Sequence, residues 1–200
     1  MADHSANHCA NHCATTATPL RHHCDTETVR RRGRDDVVPA EVLASFDLSK
    51  RERVLAAAQD ADGRWHVGTD LALHLTTADG VRRLPWQSID RASWNPDDQR
   101  LVVIEVADFG EPEPRTSFVV AQPGNLLELV RERVTASVLL TRNVPVAGTR
   151  GLKVIARRAP NGTGDIDWSF WLDRRLDPAD PIVLEAAERG LAEARSELGM

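Results

Sequence analysis

The residue types best suited to chemistry crowd one end of this chain. Five of its seven histidines and all three cysteines precede Asp25. "NHCA" occurs twice in succession, at 7–10 and 11–14, and "HHC" follows at 22–24. Thiolate and imidazole are good ligands for zinc or copper(I), which makes His8, Cys9, His12, Cys13, His23 and Cys24 candidate metal ligands. Structural zinc sites, however, pair two short ligand doublets across a folded loop. Here alanine, asparagine and threonine fill most of the gaps, with no cluster of large apolar residues to fold one. The composition therefore predicts a disordered, His/Cys-rich tail over 1–36 and no cofactor. Cysteines confined to that tail cannot staple the rest of the chain.

Beyond the tail the chemical groups thin out. His66 and His74 are the best pair. If a hairpin turns on Thr69–Asp70–Leu71, the two imidazoles face each other and point outward, where they form a candidate surface metal pair. No third ligand is placed beside them, and a one-residue change of register moves them apart. After residue 36 there is no cysteine nucleophile, Gly-rich phosphate loop, HExxH or GxSxG. "GTG" at 162–164 sits in a turn, not before a helix, so it is no phosphate cradle. Asp165, Asp167 and Asp173 read as carboxylates that keep an exposed strand face soluble. The chain is expected not to be an enzyme.

Five tryptophans and no tyrosine make the aromatics worth placing one by one. "RRLPWQSIDRASWNP" (82–96) holds two of them. Trp86 follows Pro85 at a strand end and is expected to fill a core. Trp65 shares the face of Val67 and is expected inside. Trp94, at another strand end, is expected to be half exposed. With Trp168 and Trp171 it is a candidate contact for a partner.

The elements that position these groups follow from periodicity. "VVPAEVLASFDL" reads as a short lead-in helix. From Glu52, turn signals recur about every eight to twelve residues, the rhythm of an all-β barrel or sandwich. "RVLAAAQ", "RWHVGT", "LALHLTT", "VRRLPW", "SIDRASWN", "RLVVIEVA" and "RTSFVVA" read as strands. The period then changes from two to 3.6. Asn125 is the expected N-cap, with Glu128 as its capping-box partner. Leu126, Val130, Val134 and Val138, with Leu127 beside them, form one apolar stripe over about four turns. "TRGLKVIARRAPNGTGDIDWSFWLD" reads as a hairpin turning on Pro160, Asn161, Gly162 and Gly164. Ile166, Trp168 and Phe170 alternate there against Asp167, Ser169 and Trp171. A final helix starts with Asp180 as N-cap and Pro181 behind it. Its stripe is Val183, Ala187, Leu191, Ala194 and Leu198, and Glu185 is spaced to pair with Arg189. A hairpin plus a helix is too small for a core of its own, so it must pack on the barrel or on a second subunit.

Charge narrows the partners. The net charge is −5. Residues 1–36 carry five arginines and five acidic groups, so the remainder holds the whole deficit. A nucleic-acid binder shows the opposite sign or a clustered basic patch. Arg30, Arg31, Arg32 and Arg34 are followed at once by Asp35 and Asp36 and read as a solvated segment. No apolar run approaches the ~18–20 residues that span a bilayer. The first residues lack a basic start and an apolar stretch, so a cytoplasmic location is expected.

Seven strands followed by one amphipathic helix is the order of the pleckstrin-homology-like (PH-like) barrel. "ERVLAAAQDADGRWHVGTDLALHL", "RRLPWQSIDRASWN" and "QRLVVIEV" resemble the PH-like and GRAM-like modules of bacteria, in particular small PH-like proteins of actinobacteria. In those a T-D-x-L turn precedes an L-P-W-x-x-I strand. The resemblance covers about residues 50–142. It implies a mainly β (α+β) fold: a seven-stranded antiparallel barrel capped by a helix over 37–142, with 143–200 as an appended β-hairpin and C-terminal helix. This barrel hosts lipid, peptide and protein binding alike. Its lipid-binding members carry several Lys and Arg in the first hairpin loop, whereas this loop reads "QDADG". The leading expectation is a non-enzymatic module that binds a protein partner or itself through a sheet edge or the appended hairpin. An anionic-lipid sensor ranks second, and a metal-dependent enzyme built on His66 and His74 last.

Overall fold

Alternating apolar residues and tight turns build an antiparallel meander from β1 (Val54–Gln59), β2 (Trp65–Thr69), β3 (Ala72–Thr77) and β4 (Gly80–Pro85) in the computed structural model, which describes residues 38–200. A single 3-10 turn at Trp86–Ser88 leads into a second meander of β5 (Ile89–Asn95), β6 (Arg100–Glu105) and β7 (Arg115–Val119). The protein is mainly β, with antiparallel pairing throughout. Hydrogen bonding divides the seven strands into a four-stranded and a three-stranded sheet and does not run on as one closed barrel. The sheets are linked through Ala61 N–H, which donates to Val119 O at 2.8 Å, and through Arg82, which forks onto both Glu105 oxygens at 2.9 Å and donates to Thr116 Oγ1 at 3.3 Å.

Helix α2 (Gly124–Ser137) closes the space between them. Leu126, Leu129, Val130 and Val134 pack with Leu73, Leu75, Ile89, Leu101, Val103 and Trp86 in one core. A β-bulge between Ile89 and Arg91 lets Ile89 and, after it, Ala92 and Trp94 all serve that core, although strict alternation puts Ile89 opposite the other two. The helix lies close because Gly68 has no side chain. A Cβ there would sit 2.6 Å from Leu129 Cδ2 and 3.0 Å from Leu126 Cδ1. The N-terminus of α2 differs from the expected Asn125 cap. The helix begins at Gly124 with Pro123 in the capping position, and Pro123 O accepts from Leu126 N–H at 3.0 Å. Gly124 has a φ of 49°, which sets the sharp entry.

The lead-in helix α1 (Ala40–Leu43) is short but has a large effect. Val38, Phe46 and neighbouring Val42, Leu43 and Leu48 cover the outer face of the first sheet, over Ala57 and Val67. The middle of β1–β3 is therefore buried on both faces, while Gly80–Arg83 of β4 stay exposed.

The chain then leaves α2 with no loop. Val138 is already the first residue of β8 (Val138–Ala147), a strand that the helical stripe ending on Val138 conceals. With β9 (Arg150–Arg157) and β10 (Asp167–Leu172) it makes a three-stranded sheet in the order β10-β9-β8, one strand more than the expected hairpin. Helix α3 (Pro181–Glu197) starts where expected, with Asp180 Oδ1 accepting from Ile182 N–H at 2.9 Å. It buries Val183, Ala186, Ala187, Gly190 and Ala194 against Val144, Leu152 and Val154, with Trp168, Phe170 and Leu172 at the margin. Among the described residues, no helix is long and apolar enough to cross a membrane.

Candidate functional site

The histidine pair takes a different arrangement from the expected one. His66 pairs with Leu75, and His74 with Val67. Paired residues share a face and neighbours alternate, so the two imidazoles lie on opposite faces of the sheet. Both are 1% exposed, because α1 and its loop cover one face and the core the other. His66 stacks on Phe118 with ring centroids 3.9 Å apart, and its Nε2 lies 3.2 Å from Asp60 Oδ2. Burial pushes the His66 pKa below the ordinary value, against the pull of the Asp60 carboxylate. His74 Nε2 lies 2.9 Å from Glu52 Oε1, and Thr69 Oγ1 donates to the same oxygen at 2.7 Å. Burial raises the Glu52 pKa, but the hydrogen bonds from His74, Thr69 and Ser49 and the charge of Arg83 together hold it below the ordinary value. Each His–carboxylate pair is a sealed strut inside a sheet. Neither faces the clefts described below, so the outward metal pair is withdrawn. Among the described residues, no three His, Cys, Asp or Glu side chains gather to hold a metal ion. His8, Cys9, His12, Cys13, His23 and Cys24 lie outside the described residues.

The motif residues also take structural roles. Thr69 Oγ1 accepts from Leu71 N–H (3.1 Å) and Ala72 N–H (2.9 Å), and Asp70 Oδ1 accepts from Arg53 N–H at 2.8 Å. Trp86 is 0% exposed, and its Nε1–H donates to Thr69 O at 3.1 Å. The Thr69–Asp70–Leu71 turn and the Leu84–Pro85–Trp86 segment thus lock each other. The acidic first loop does the same on a smaller scale: Asp60 Oδ1 accepts from Asp62 N–H and Arg64 N–H at 2.9 and 2.8 Å.

The tryptophan candidates separate by environment. Trp94 is half-buried against the main core, and its Nε1–H reaches Val120 O at 3.4 Å. Trp168 is half-buried on the α3 side, with the Arg195 guanidinium 5.8 Å from its ring centroid. Trp65 is half-buried under the lead-in segment and not in the main core. Trp171 alone among them is exposed, at 40%, with Lys153 Nζ 5.0 Å from its ring centroid.

Trp171 stands at the rim of a cleft of about 580 Å³ that sequence reasoning did not find. One wall is the start of β5 and the loop after β6, "ADFGEPEP" (107–114). The other is β10 and the turn behind it. The walls touch where Gly110 meets Pro178, at a spacing that leaves a Cβ only 2.8 Å from the proline ring, and where Phe109 meets Phe170 edge-on at 5.3 Å. Asp90, on the first wall, is held by the buried Arg157, which donates from Nη2 to Asp90 Oδ1 (3.0 Å) and Asp90 O (3.1 Å) and from Nη1 to Ser137 Oγ (3.2 Å). This guanidinium fastens the third sheet to the second.

Charge in the cleft is uneven. Asp90, Asp108, Glu111, Glu113 and Asp173 line it against two arginines, Arg91 and Arg174. Arg91 bonds Glu113 through both terminal nitrogens, at 2.9 and 2.5 Å. That bond, aided by the charges of Arg91 and Arg174, holds the Glu113 pKa below its ordinary value against a burial penalty. Asp108 and Glu111, in contrast, have no side-chain hydrogen bond or ion pair among the described residues. A second, smaller cleft, lined by Asn143, Arg150 and Lys153, shares Trp171 with the first. No family model, curated protein or solved structure matches the chain. Function has to be read from this junction itself.

Proposed function

We propose that the chain is a non-enzymatic interaction module of the PH-like class, and that it binds a protein partner, or a second copy of itself, at the junction of its second and third sheets. Four strands, three strands and a packed helix in that order support the PH-like reading. The observation that carries the binding reading is Trp171. It is a large exposed aromatic between two clefts, on a strand that forms the edge of its sheet. Exposed aromatics beside a concave surface are the usual anchors of protein interfaces. The acidic cleft and the aspartates of the first loop favour a protein over an anionic lipid surface.

The test compares Trp171→Ala with the wild type in two readouts beside its melting curve. Light scattering across concentrations reads self-association, and affinity capture followed by direct binding to the purified captured protein reads a partner. The expected result is one of the two interactions in the wild type and its loss in Trp171→Ala, at an unchanged melting temperature. An interaction that survives the substitution, or none in either readout, overturns the proposal.

A further inference from the structure

We infer that the cleft takes an extended, basic peptide segment whose arginine or lysine enters between Asp108, Glu111 and Ser169 while its backbone lies along β10. This rests on the binding reading above and gives its partner a chemistry. Three independent features converge on it. The first is charge: five carboxylates line the cleft against two arginines, and Asp108, Glu111 and Asp173 form no ion pair among the described residues. The second is Ser169. It is only 8% exposed and lines the cleft, on the face of β10 opposite Trp168 and Phe170, yet its hydroxyl has no hydrogen-bond partner among the described residues. That hydroxyl is open to the cleft, where its oxygen is a free acceptor. A guanidinium or ammonium donates to it directly. The third is the edge. Among the described residues no strand pairs with β10 on its outer side, and the outward backbone groups of Asp167–Leu172 have no ladder partner there. An extended peptide satisfies such an edge by adding a strand. Trp171, at the end of that strand, then covers the peptide's apolar side chains.

Fluorescence anisotropy with short labelled peptides tests this. One peptide alternates arginine with threonine and valine; its counterpart carries glutamate in place of every arginine. The arginine peptide is expected to bind and the glutamate peptide not. Asp108→Asn/Glu111→Gln is expected to weaken binding about fivefold, as for the loss of two exposed ion pairs. Ser169→Ala is expected to weaken it by about the same factor, with no loss of melting temperature, because no internal bond is broken. Asp97→Asn/Asp98→Asn removes equal charge at the β5–β6 turn, about 20 Å along the strand, and is expected to change nothing. Binding of the glutamate peptide, equal weakening by the turn variant, or no binding of the arginine peptide overturns the inference. If a partner lost in Trp171→Ala is captured while the arginine peptide is ignored, the binding reading stands and only this inference falls. If Trp171→Ala changes neither, both fall.

Discussion

At the scale of single residues, the polar groups that look chemical in the sequence are mostly structural. Trp86 fills the core and bonds Thr69 O. Trp86→Ala is expected to cost about 3–5 kcal/mol, as for other buried large aromatics, and a chemical-denaturation midpoint reads it. Trp86→Phe keeps most of the volume and leaves Thr69 O short of one donor, so its cost is expected to be smaller. His66 gives a pH signature. Its folded pKa is lowered by burial, so it binds its proton less readily folded than unfolded. Its contribution is complete above the unfolded value near 6.5 and is lost as pH falls from there through the lowered folded value. Glu52 acts in the same direction in a lower window, from its unfolded 4.5 downward. Stability measured from pH 7 to 5 should therefore decline, and His66→Gln should flatten that decline. An unchanged slope in His66→Gln contradicts this assignment. The sequence placed Trp86 correctly because a tryptophan after a strand-ending proline has few other places to go. It misplaced His66 and His74 because the turn fixes register to one residue, and nothing local reveals that α1 covers the second face.

At the scale of elements, close approach is bought with glycine. Gly190 on α3 faces Val144 and Val154, where a Cβ would meet Val144 Cγ2 at 2.5 Å and Val154 Cγ2 at 3.2 Å. Alanine gains about 1 kcal/mol in helix propensity. Overpacking against β-branched side chains, which cannot swing away, costs about 1–3 kcal/mol. The net effect of Gly190→Ala is expected to be destabilising, and a raised melting temperature would show that the helix yields. Helix α3 was legible because its start carries Asp180 and Pro181 in the standard order. β8 was not, because Val138 continues the spacing of Leu126, Val130 and Val134 while the backbone has already become extended. The faces of β10 were legible from alternation alone: Trp168 and Phe170 turn to α3, Ser169 and Trp171 away from it.

At the scale of the whole molecule, the cleft is assembled from segments about 20 to 80 positions apart, around residues 90, 108–113 and 169–178, whose charges read one by one as ordinary solvated surface. Arg157 holds the two walls in register. Arg157→Ala leaves Asp90 and Ser137 without their shared donor in a buried setting and is expected to cost about 3–5 kcal/mol. Arg157→Met with Asp90→Leu, which removes both charges, should cost less than Arg157→Ala alone. The partner is proposed to bind at the β10 edge and its cleft. Amide hydrogen exchange with and without the captured partner, or across the self-association range, measures it most directly. Slowed exchange is expected at Asp167–Leu172 and in the 108–113 loop. Unchanged exchange there, with slowing confined to the β1–β2 tip or the face under α1, would contradict the proposal.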